Sequence, residues 1–151
     1  MGEFSFVSRL ESSWREELEA LMYFNPRQHN VVAGIEESIA MFGLPKITEE
    51  DGWLKVSTEK NPFVQTIFAM TSSADEPEIA GLIVYVRNDA PCLTIMHIGV
   101  AERFSISGQE SESMLALKMI LELKKVARQI KGVEYLSLIY GQGSVRKMPV
   151  N

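Results

Sequence analysis

The run Ile79 to Val86 reads Ile-Ala-Gly-Leu-Ile-Val-Tyr-Val, apolar along nearly its whole length and bounded on both sides by turn residues. A stretch this short, with β-branched and aromatic residues and no polar face, predicts a strand buried on both faces. Such a strand needs a strand on each side and a layer above and below. The first requirement is met locally. Val64 to Thr71 is rich in β-formers and precedes the turn Ser72–Pro77; Leu93 to Val100 follows the turn at Asn88, Asp89 and Pro91. The middle of the chain therefore predicts a three-strand antiparallel meander.

The covering layers come from the flanks. Phe4 and Phe6 alternate with Ser5 and Ser8 as a short strand, and Trp14, Leu18, Leu21 and Met22 then recur at helical spacing, predicting a helix over 12–24. Asn25-Pro26 ends it, because the residue before proline is pushed out of the α region. Val32, Ile35, Ile39 and Phe42 mark a second amphipathic helix, closed by Gly43 and Pro45. Between 46 and 62 only Trp53 to Val56 suggests a strand, with Glu49, Glu50, Asp51 and Gly52 as a solvated turn.

The longest helix is predicted over 109–131. Its polar stripe is narrow (Lys118, Glu122, Lys125, Gln129), and Met114, Leu115, Leu117, Met119, Leu121 and Leu123 fill the rest, so a largely buried helix is expected. Gly132 is the natural stop, Val133 to Tyr140 the next strand, and Ser144 to Met148 a short last one. No repeat or linker divides the 151 residues, which predict a single domain, 1–151.

Charge and cysteine count narrow the function. A net charge of −5 leaves no surplus of Lys and Arg to track a phosphate backbone, so a nucleic-acid partner is not expected. No apolar run is long enough for a membrane span, and Glu3, Glu11, Glu16 and Glu17 interrupt the start where a secretory signal would lie. One cysteine and two histidines are too few for a structural zinc cluster. The expected compartment is a reducing cytoplasm, with no metal.

The order strand, helix, helix, three antiparallel strands, long helix, strand resembles the GNAT family of acetyl-CoA-dependent N-acyltransferases. The resemblance tightens at Leu93-Thr94-Ile95-Met96-His97-Ile98-Gly99-Val100-Ala101-Glu102-Arg103-Phe104, followed by Ser105-Ile106-Ser107-Gly108-Gln109-Glu110. Val100, Phe104 and Gly108 fall at matching positions. Past the helix, Gly132-Val133-Glu134-Tyr135-Leu136-Ser137-Leu138 is similar to the family's entry into its fifth strand.

The resemblance implies an α/β fold with a mixed central sheet in the order β-α-α-β-β-β-α-β and helices packed on both faces. It implies acetyl-CoA as acyl donor, a primary amine on a small molecule or peptide as acceptor, and a cofactor site at Ile98, Gly99, Val100, Phe104, Ser105, Ser107, Gly108 and Gln109. His97 and Glu102 are the base candidates, and Tyr140 the candidate general acid.

Two departures cut against this. The family's loop arginine is replaced by Ser105, a neighbouring glycine by Ile106, and a second glycine or alanine by Glu110. Ser107-Gly108-Gln109-Glu110 also reads as an S-x-x-E capping box, which would satisfy the donors that a pyrophosphate otherwise takes. The second departure is the short run after the fifth strand, where the family adds a helix and two strands. An exposed sheet edge there predicts a homodimer. The alternative to an enzyme is a GNAT-like binding or assembly module that does not bind coenzyme A productively.

Overall fold

The computed structural model describes residues 4–23, 45–58, 64–71, 77–101, 114–139 and 145–150. Its elements are β1 (Phe4–Val7), β2 (Leu10–Glu11), a single 3-10 turn (Ser12–Trp14), α1 (Arg15–Tyr23), β3 (Pro45–Glu50), β4 (Trp53–Thr58), β5 (Gln65–Thr71), β6 (Ile79–Asp89) and β7 (Cys92–Val100). They are followed by α2 (Leu115–Arg128), β8 (Tyr135–Ile139) and β9 (Val145–Pro149).

Six strands form the main sheet in the order β1-β5-β6-β7-β8-β9. All neighbours are antiparallel except β7 and β8, which run parallel and are joined through α2. The predicted meander is thus β5-β6-β7. Its central strand is buried on both faces as its composition requires, with Ile79 to Val86 at most 9% exposed where hydrophobic.

Alternation along the strands divides the core in two. Phe68, Met70, Leu82, Val84 and Met96 pack with Leu18, Leu21 and Met22 of α1, while Ile67, Ile83, Leu93 and Ile95 pack with Leu123 and Ala127 of α2. Helices therefore cover both faces of a mixed sheet, which is the coarse architecture expected from the sequence.

The order of elements differs from the expected one. The poorly patterned segment after residue 45 folds as a hairpin, β3 and β4, which with β2 forms a separate three-stranded sheet. Glu49 and Glu50 belong to β3, and the turn is only Asp51-Gly52, both at positive φ (53° and 83°). Two such residues match the right-handed strand twist in a tight hairpin, and Asp-Gly is a preferred pair for it. Ile47, Leu54 and Val56 of this hairpin join the α1 core. Two hydrogen bonds fix it in place: Arg15 Nη2 donates to the Ile47 carbonyl (3.2 Å) and the Ser12 N–H to the Gly52 carbonyl (2.9 Å).

The long helix is also corrected. Its described part starts at Leu115, with Met114 as N-cap at φ 52° and no side-chain cap, and the box expected at Ser107–Glu110 lies outside the described residues. It ends at Arg128 with Gln129 as C-cap; Gly132 lies in the turn beyond, at φ 89°, where Arg87 Nη2 bonds the adjacent Lys131 carbonyl (3.0 Å). Only Leu115, Met119, Leu123 and Ala127 of this helix are buried, whereas Met114, Leu117 and Leu121 are exposed at 57, 46 and 52%. The expected second helix, Val32 to Phe42, lies outside the described residues. Among the described residues no helix is long and apolar enough to cross a membrane.

Candidate functional site

Two irregularities in β7 create the site. The first is a bulge: β6 pairs Val84 with His97 and Tyr85 with Ile95, leaving Met96 as the extra residue. A bulge bends its strand and re-aims the side chains after it. The second is a parting of strands. β7 and β8 stay in register from Cys92↔Tyr135 to Ile95↔Leu138, and Ile139 pairs with Val145 of β9. Just before the parting, the buried hydroxyls of Thr94 and Ser137 bond at 3.0 Å. β7 runs on to Val100, held to β6 by the Ala101 N–H donating to the Ala80 carbonyl (2.8 Å). Among the described residues β7 runs on beyond Ile95 with no further β8 partner, and this edge of β7 is the candidate wedge.

Ladder geometry decides which backbone groups face this wedge. Antiparallel pairs alternate between hydrogen-bonded and non-bonded. With Ala101 bonded to Ala80, Gly99 and His97 turn their polar groups to β6, and Ile98 and Val100 turn theirs toward the wedge. The side chains of Ile98 and Val100 pack on the α2 side, and both are half-buried.

β6 and β7 lie tight on both faces, Gly81 on the α2 side, where an added Cβ would also meet Met119 at 3.1 Å, and Gly99 on the α1 side. A Cβ on Gly81 would lie 2.9 Å from the Gly99 carbonyl oxygen, and one on Gly99 would lie 2.9 Å from Leu82 Cδ2 and 3.5 Å from His97 Nε2. The imidazole thus stands beside Gly99, near the carbonyl of Leu21 in α1, which the same Cβ would approach to 3.6 Å. Burial lowers the His97 pKa from 6.5 to about 4, because desolvation penalises the cation. The ring is neutral at pH 7.

Of the expected site residues, the structure describes His97, Ile98, Gly99 and Val100, which follow one another along β7. Glu102, Phe104, Ser105, Ser107, Gly108, Gln109 and Tyr140 lie outside the described residues. The reading of the sequence missed Gly81, although a lone glycine inside a strand pattern signals close backbone approach. It also missed Met96, and nothing in a run of alternating aliphatics announces a bulge. Among the described residues no group of three or more His, Cys, Asp or Glu side chains is placed to hold a metal ion.

No family model and no curated protein matches the chain. Among solved structures it is similar to a protein from Desulfovibrio desulfuricans described as an acetyltransferase of the GNAT family. The TM-score is 0.42 at 14% identity, covering 90% of this chain and 72% of that one. At that distance the likeness decides neither fold nor activity.

Proposed function

We propose that the chain is an N-acyltransferase that takes an acetyl group from acetyl-CoA and passes it to a primary amine, with the thioester arm seated in the wedge between β7 and β8. The observation that carries this reading is the end of the β7–β8 register at Ile95↔Leu138 while β7 continues. A pantetheine arm carries amides in an extended chain, so it can take the place of the departing strand, with Ile98 supplying backbone donor and acceptor. A backbone N–H near Val100 would polarise the thioester carbonyl.

In the reaction the amine nitrogen bonds to the thioester carbonyl carbon, the C–S bond breaks, and the amine proton leaves with the thiol. His97 accepts a hydrogen bond from the attacking amine. With a pKa near 4 it is too weak a base to strip an ammonium group, so the amine must arrive uncharged. The rate should then rise with pH as the acceptor amine loses its proton, and show no limb from His97 above about pH 5. Phe104, Ser105, Ser107, Gly108 and Gln109 are the proposed pyrophosphate side of the site, and Glu102 and Tyr140 the further proton-transfer groups.

Calorimetric titration with acetyl-CoA tests the reading. Heat of binding with one site per chain is expected, and no binding at millimolar ligand would overturn it. In that event the carboxylates of Glu110 and Glu112 favour the other reading, a GNAT-like binding or assembly module.

A further inference from the structure

The outer face of α2 reverses the sign of the whole molecule. Residues 114–131 hold five cations (Lys118, Lys124, Lys125, Arg128, Lys131) against the single carboxylate of Glu122, in a chain whose net charge is −5. Within this cationic face Met114, Leu117 and Leu121 form an exposed apolar stripe at i, i+3 and i+7, although leucines at such positions ordinarily turn inward. Beside the stripe a groove of about 470 Å³ opens between α2 and β1, with Phe4, Phe6 and Leu121 as apolar walls and three cations, Lys118, Lys125 and Arg128, against the one carboxylate of Glu122 in its lining. Lys118 Nζ stands 5.3 Å from the Phe4 ring centroid, and Arg128 Nη1 is anchored on the Val150 carbonyl at 2.8 Å.

We infer that this groove docks an acidic peptide segment of another protein, one that inserts an apolar side chain between Phe4, Phe6 and Leu121 while its carboxylates meet the cations of α2. Charge complementarity selects the occupant. A second copy related by a two-fold axis would set this cationic face against itself, which costs energy. A bilayer surface is flat to a helix-sized patch, whereas Phe4 and Phe6 are recessed, so a protruding side chain fits the concavity better. Helix-in-groove recognition of this kind reads two or three apolar anchors one turn apart. Phe4 and Phe6 pack against the same core cluster as Ile98 and Val100, but the groove and the wedge share no residue.

The probe is a short fluorescent glutamate-rich helical peptide with two leucines one turn apart, followed by anisotropy with the full chain, in parallel with methyl NMR of Met114, Leu117 and Leu121. Saturable binding that weakens with added salt is expected, with shifts confined to those methyls. Lys125→Glu and Leu121→Ser should each lower affinity about tenfold or more, with the melting temperature as the control for folding. Equal binding of a lysine-for-glutamate peptide, or of the leucine-free peptide, would overturn the inference. So would α2 methyl shifts on anionic vesicles in place of the peptide, which would identify a lipid surface, or a concentration-dependent mass lost in Leu121→Ser, which would identify a second copy.

Discussion

His97 couples the candidate site to stability. Its folded pKa lies near 4, below the ordinary 6.5, so as pH falls the unfolded chain binds a proton before the folded one does. The contribution is complete above pH 6.5 and is lost as pH falls toward 4. The ring is half-buried rather than sealed, which trims the effect to on the order of 2 kcal/mol. The difference in melting temperature between the native chain and His97→Gln should therefore change between pH 6.5 and 4 and stay flat from 6.5 to 8. A constant difference across both windows would show that the ring is solvated. The neighbouring glycines answer a different question. A methyl on Gly81 meets the Gly99 carbonyl, which is backbone and cannot rotate away. Gly81→Ala should cost about 1–3 kcal/mol by urea denaturation.

Among the elements, those with one dominant period were legible. Ile79–Val86 could only be a doubly buried strand, and Leu18, Leu21 and Met22 could only line one side of a helix; both are found so. β3 was not legible, because in Lys46-Ile47-Thr48-Glu49-Glu50 only Ile47 turns inward and the charged residues mask the alternation. The Asp51-Gly52 pair was the available signal, and it belongs to a two-residue hairpin rather than a loop. Gly52 sits at φ 83° with open space around it, so Gly52→Ala tests backbone strain without a clash. It should destabilise by about 1 kcal/mol and leave the fold intact. The parting of β7 from β8 was illegible for another reason: pairing partners 43 residues apart, as in Thr94 and Ser137, leave no local pattern. Ser137→Ala should cost about 1–2 kcal/mol by withdrawing the partner of the buried Thr94 hydroxyl.

At the scale of the molecule, the predicted homodimer rested on an exposed edge after the fifth long strand. β9 pairs along β8 and moves that edge outward, to a strand carrying Lys147 and Pro149, residue types that discourage edge pairing. The proposal of one domain rests on packing. Leu10, Ile47, Leu54 and Val56 of the small sheet share a core with Leu18, Phe68, Leu82 and Val84, so neither sheet can lose its partner and keep its interior dry. Both tryptophans, Trp14 and Trp53, lie on the small-sheet side, Trp14 packed against that core and Trp53 under the Arg9 guanidinium at 4.2 Å. Tryptophan fluorescence therefore reports the small sheet, while far-ultraviolet circular dichroism reports every element. For one cooperative unit the two denaturation curves must coincide. Leu54→Ala, at a site 3% exposed, should shift both together by about 2–4 kcal/mol. A fluorescence transition that moved while the dichroism transition stayed would separate the hairpin from the main sheet and remove α1 from its place against His97 and Gly99.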